Sequence, residues 1–171
     1  KAKPTFSFKT DRAPGKVVIS AEYADGQEIV IRPGDTMVMD FGQNCAAIPE
    51  FVFKAAEGTV LTCLPSEILN DGNGAESRGM DGPEGSCHRT NLRAHVEPAI
   101  LMQYTFAGDK NYVTYHPTRT FFGYRFISVT ATDEVRIKSV KSIPVTSITK
   151  EMEAGKITTG NDLINKLLLF A

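Results

Sequence analysis

Carboxylates are the first side chains here whose chemistry could matter. Asp40, Glu50, Glu67, Asp71 and Glu76 offer enough acids for glycoside cleavage, which sets two carboxyls roughly 5 Å apart for retention or roughly 6.5–9.5 Å apart for inversion. Nothing in their spacing brings two of them together, and a turn-forming or solvated role suits each of them. Ser86-Cys87-His88 puts a nucleophile beside a base, but a working pair needs a hydrogen bond and a third group that orients the base, which chain neighbours rarely supply. Asp71, Asn73, Glu76 and Asp81 could give oxygen ligands to calcium, yet their spacing departs from the twelve-residue loop with its closing bidentate Glu. His95 and His116 stand alone, without zinc-ligand spacing. No catalytic residue, metal or cofactor is assigned from these patterns.

Aromatic residues offer a different chemistry. Phe121, Phe122, Tyr124 and Phe126 crowd one segment, and exposed rings on a sheet can stack on pyranose faces. Phe122, Tyr124 and Phe126 share a parity, which puts them on one face of a strand and predicts core packing for that face.

The elements that must position these groups are mostly strands. "KVVISAEYADGQEIVIRPGD" holds alternating residues (Val17, Ile19, Ala21, Tyr23), then Asp25-Gly26, then Ile29 and Ile31. Asp-Gly between alternating apolar runs predicts a hairpin over 17–32, because a type I′ turn needs positive φ at both central positions. "TMVMDF" begins a new strand with Met37, Met39 and Phe41 on one side; "EFVFKA" and "TVLTCLPSE", separated by Glu57-Gly58, predict a second hairpin. "NDGNGAESRGMDGPEGS" is rich in glycine and nearly free of large apolar side chains, so it reads as a long surface loop. Strand texture returns at "AILMQYTF", "NYVTYH", "TFFGYRFISVTA" and "VRIKSVKSIPV". About nine short strands without intervening amphipathic helices predict an all-β fold, an antiparallel two-sheet β-sandwich of jelly-roll or concanavalin-like type.

The last segment is different. "TGNDLINKLLLFA" spaces Leu163, Ile164, Leu167 and Leu168 along one helical face, with Asn161 placed to cap the first turn. So short a helix is marginal alone and needs a surface to pack on. Either it folds back on the sandwich or it begins a further helical domain.

Bulk properties fit one soluble domain: 171 residues, 42% hydrophobic and 23% charged. Nineteen basic against twenty acidic residues leave a formal charge of -1, which supplies no field for nucleic acid or anionic lipid, so neither is an expected partner. No apolar run reaches the roughly 18 residues of a membrane-spanning helix, and any export signal would have to lie upstream of Lys1. Cys45, Cys63 and Cys87 are odd in number and scattered, which suits neither a disulfide framework nor a structural zinc site.

Eight short pieces in register carry a resemblance: "DFGQN" (Asp40, Phe41, Gly42, Gln43, Asn44), "EGT", "SEILNDG" from Ser66 with Glu67, "NLR", "YTFAG", "YHP", "FFGYRFISV" with Gly123 and Arg125, and "GNDLINKL" from Gly160. Together they resemble the bacterial α-L-rhamnosidase family of glycoside hydrolases over residues 36–171. The resemblance implies the concanavalin-like β-sandwich that precedes an α/α-toroid catalytic domain, with the catalytic acids on the toroid, which releases terminal L-rhamnose with inversion. It implies a sandwich over 1–157, a lead-in at 158–171 toward the toroid as partner, and signature residues that are structural. Family members commonly carry Gly-Trp after DFGQN and a His before the Gly of the aromatic strand; Ala47-Ile48 and Phe122 stand there instead. The alternative is a carbohydrate-binding module that itself holds rhamnose-containing or other plant-type glycans through exposed rings or the loop at 70–90. Physically, Gly42 permits a backbone closed to residues with a Cβ, while Asp40 and Asn44 can hydrogen-bond a tight bend.

Overall fold

The computed structural model describes residues 5–9, 18–22, 27–71, 81–90, 100–147, 152, 155 and 157–169, and among these residues nine strands form. In chain order these are β1 (Thr5–Lys9), β2 (Val18–Glu22), β3 (Ile29–Ile31), β4 (Thr36–Ala55), β5 (Val60–Ser66), β6 (Met102–Thr105), β7 (Val113–Tyr115), β8 (Phe122–Ala131) and β9 (Val135–Pro144), followed by helix α1 (Asp162–Leu169). All their pairings are antiparallel.

The twenty-residue strand β4 organises everything else. Over Met37–Asp40 it takes β1 on one edge and β8 on the other. Over Ala47–Ala55 it takes β9, with β7 opposite at Phe51–Phe53. One row therefore runs β2-β1-β4-β8-β5-β6 and a second runs β3-β9-β4-β7, both using β4. A strand that bends partway along its length to serve two sheets forms the corner of a sandwich. The predicted all-β sandwich with a short C-terminal helix is thus the observed architecture.

Side chains from both rows meet in one core. Met37, Met39 and Phe41 point in from the first half of β4, and Ala47, Phe51 and Phe53 from the second half. Phe53 lies 4.8 Å from Tyr104 and 4.7 Å from Phe106, ring centre to ring centre, which packs β4 against the far end of the other row. Tyr124 of β8 meets Phe41 edge-on at 5.4 Å, and its hydroxyl hydrogen-bonds Ser142 of β9 at 2.8 Å across the core.

Four local expectations are corrected. Among the described residues β2 pairs with β1 and β3 with β9, not with each other as the predicted hairpin over 17–32 requires; the Asp25-Gly26 segment lies outside the described residues. Ile29 opposite Ile137 and Ile31 opposite Val135 bury four apolar side chains, and such packing outweighs a local turn preference. The Glu57-Gly58 turn exists, with Thr59 N donating to Ala56 O at 3.2 Å and Gly58 at φ 79°. It carries the chain from one row to the other, and β5 pairs with β6 and β8 and not with β4. "TMVMDF" and "EFVFKA" are two halves of one strand. Finally, Phe122, Tyr124 and Phe126 do not share a face: Phe122 and Tyr124 belong to the core, then Ile127 and Val129 do, while Phe126 is buried outside it beneath Arg125. The change of parity coincides with the register shift between Asp40 and Cys45 on the neighbouring strand, which is what a bulge does to a side-chain alternation.

Helix α1 begins as expected. Asn161 Oδ1 accepts the backbone N–H of Leu163 at 2.9 Å and of Ile164 at 3.4 Å, the arrangement of an N-cap. Leu163 is 76% exposed and Leu167 69%; the sandwich does not cover them.

Candidate functional site

The segment Asp40–Asn44 is where β4 turns from one row to the other. Between Asp40 opposite Phe126 and Cys45 opposite Tyr124, five steps along β4 match two along β8, so extra backbone must be looped out. Gly42 takes φ 81°, a left-handed conformation that favours glycine, and its N–H donates to Asp40 Oδ1 at 2.7 Å. The Arg125 guanidinium grips the same carboxylate with two parallel bonds, Nε to Oδ1 and Nη2 to Oδ2, each 2.8 Å. These hydrogen bonds from Arg125 to Asp40 hold the guanidinium above its ordinary range. Its plane also lies 4.9 Å over the Phe126 ring.

The other signature residues gather beside this fork. Asn44 Nδ2 donates to Glu67 Oε1 at 3.4 Å. Gly123 sits opposite Ala46 on the ladder, and a Cβ there would come 3.7 Å from that same Glu67 oxygen. Phe41 turns inward to Tyr124, and Gln43 is exposed. Residues more than eighty positions apart thus form one outer patch, whose polar contacts pin a bend. Next to it lies a cleft of about 480 Å³ lined by Glu67, Ile100, Leu101, Thr120, Phe121, Phe122 and Gly123. Phe121 is 56% exposed there.

The remaining candidates are engaged elsewhere. Glu50 pairs with Lys141 at 3.3 Å, and Glu76, Asn73 and His95 lie outside the described residues. Among the described residues no group of three or more His, Cys, Asp or Glu side chains could hold a metal ion. Ser86 Oγ donates to Pro83 O and accepts from Asn70 Nδ2. Burial pushes the Cys87 thiol up to about 12, against the nearby charge of Arg89 and a hydrogen bond from Ser66, so it is not a thiolate at neutral pH. His116 Nδ1 lies 3.3 Å from Pro117 O.

The His88 ring meets Asp81 and Thr90. Its Nδ1 is 3.1 Å from Asp81 Oδ1, and its Nε2 is 3.3 Å from Thr90 Oγ1. Asp81 Oδ2 accepts the backbone N–H groups of Arg89 at 2.6 Å and Thr90 at 2.8 Å. The Arg89 guanidinium in turn donates to the carbonyls of Pro65 and Ile100. Asp81 is therefore a clasp for its own loop. Sequence patterns flagged it as an oxygen ligand but could not supply Arg89 as the group that ties the loop to β5.

Partial burial would raise the Asp81 carboxyl, but hydrogen bonds from Arg89, Thr90, Asn70 and His88 outweigh it and hold the group at about 2 against an ordinary 3.8. A depressed native pKa stabilises the fold above the unfolded value and is lost as pH falls through the native one. The protection factors of the Arg89 and Thr90 amides should therefore hold constant above about pH 4, then fall between about pH 4 and pH 2. In Asp81→Asn that pH step should vanish.

The family model described as the bacterial alpha-L-rhamnosidase concanavalin-like domain matches residues 30–146. An alpha-L-rhamnosidase of Alteromonas sp. (strain LOR) is 26% identical over 102 residues, 60% of this chain and 9% of that protein. One from Streptomyces avermitilis is 29% identical over 116 residues, 68% of this chain and 10% of that protein. The solved rhamnosidase from Klebsiella oxytoca with rhamnose bound superposes with a TM-score of 0.54 at 11% identity, over 95% of this chain and 32% of that one, a likeness of fold. The chain spans about a tenth of the curated relatives it matches.

Proposed function

The chain belongs to the bacterial α-L-rhamnosidase concanavalin-like domain family, and from that premise we propose that it is a non-catalytic accessory domain of a longer glycoside hydrolase. In this reading residues 1–157 are the sandwich, residues 158–171 lead into an α/α toroid, and the toroid carries the acids that release terminal L-rhamnose. The sandwich braces and orients that catalytic domain.

One observation supports this most. Leu163, Ile164 and Leu167 remain 76%, 45% and 69% exposed on a capped helix, and burying each of them fully would contribute about 1.5–3 kcal/mol. A following helical domain would supply that burial. Three carboxylates of the sandwich fit the same reading: Asp40 holds Arg125, Glu50 holds Lys141, and Asp81 holds its loop. The match to relatives of which only 9% and 10% is covered also suits an accessory part.

The purified chain should release no phenol from an aryl α-L-rhamnopyranoside at any pH where it is folded. Turnover that survives repurification and saturates with substrate would refute the proposal.

A further inference from the structure

The cleft beside the corner has a composition that neither bracing nor bending requires. Phe121 exposes more than half of its surface next to it, and among the described residues its ring stacks on no other ring. Ile100 adds a second exposed apolar group at 37%. Glu67 lines the same cleft, and one of its oxygens takes the long 3.4 Å bond from Asn44. A Cβ at Gly123 would stand 3.7 Å from that carboxylate, in ordinary contact with it. The volume, about 480 Å³, falls within the roughly 300–1,000 Å³ of small-ligand sites.

We propose that this cleft binds a neutral saccharide, with the Phe121 ring against an apolar sugar face and the Glu67 carboxylate accepting hydrogen bonds from sugar hydroxyls. An aromatic ring beside a hydrogen-bonding carboxylate matches a pyranose, which has an apolar face of C–H groups and an edge of hydroxyl donors. The charge selects for neutrality: among the described residues Glu67 is the charged side chain of the lining, and Arg125 of β8 turns its fork to Asp40. An acidic sugar would place its carboxylate near a like charge. A sugar whose exocyclic carbon is a methyl group would gain further contact with Ile100 and Phe121. The site is independent of the bracing role, since a domain can brace without binding sugar and bind sugar without bracing.

The test is a titration of the chain, followed by calorimetry or amide shifts, with methyl α-L-rhamnopyranoside, methyl α-D-glucopyranoside and D-glucuronate. Saturable binding of at least one neutral glycoside is expected, with glucuronate at least about tenfold weaker. Phe121→Ala should weaken the neutral glycoside by about tenfold or more; the ring is mostly exposed, so its far-ultraviolet dichroism should match the wild type. Glu67→Gln should reduce the discrimination against glucuronate, a change that general loss of structure would not produce. No saturation with any of the three sugars overturns the proposal, as does binding that neither substitution alters.

Discussion

Phe53→Ala is expected to lower the stability of this chain by about 3–5 kcal/mol, which at this size corresponds to a fall in Tm of roughly 6–20 °C. Phe53 is fully buried in the second half of β4. Its ring packs on Phe51 of its own strand, on Tyr104 and Phe106 from the other row, and on Tyr115 of β7. Truncation removes contacts with four rings at once, and those rings are held by their own strands, so collapse into the void can only be partial. Thermal or urea denaturation measures it directly. A loss below about 1 kcal/mol would mean that the two rows do not pack through this side chain.

Asp40→Ala should be the next largest effect, about 1.5–3 kcal/mol, the scale of hydrogen bonds made to a charged group. One carboxylate holds two strands and a bend: it takes both fork nitrogens of Arg125 from β8 and the N–H of Gly42. The pair is partly exposed, with Arg125 side-chain accessibility at 42% and Asp40 at 23%, so water can replace some of what is lost and the cost stays below that of a fully buried pair. Arg125→Lys should not restore the wild type, because a point ammonium cannot make the two parallel bonds. Denaturation of the three proteins side by side checks both statements. Equal stability of wild type and Asp40→Ala would remove the pinned corner from the account.

The division between what sequence patterns carried and what they missed follows the range of each interaction. Asn161 as a helix cap and Gly42 as a bend involve neighbours two or three residues away, and both stand in the structure. The alternation of Met37, Met39 and Phe41 likewise identified an inward face correctly. Strand partners are another matter. β3 chooses β9 across more than a hundred residues, because Ile137 and Val135 bury Ile29 and Ile31, and no local turn signal encodes that choice. The same holds for the corner: its backbone needs were legible at Gly42, whereas Arg125 as the grip on Asp40 is 85 residues away. The exposure of Phe121, and hence the cleft, could not be read from a run of aromatic residues whose alternation breaks at a register shift.

The sandwich leaves Leu163, Ile164 and Leu167 of α1 exposed. The double substitution Leu163→Lys, Leu167→Lys measures this in the chain itself, since lysine and leucine have similar helix propensities and any loss must come from packing. The predicted result is a Tm and denaturation midpoint equal to wild type within about 0.5 kcal/mol, far from the change in Phe53→Ala. A loss of about 2 kcal/mol or more would show that α1 already docks on its own sandwich, and would contradict an accessory domain whose helix awaits a catalytic partner.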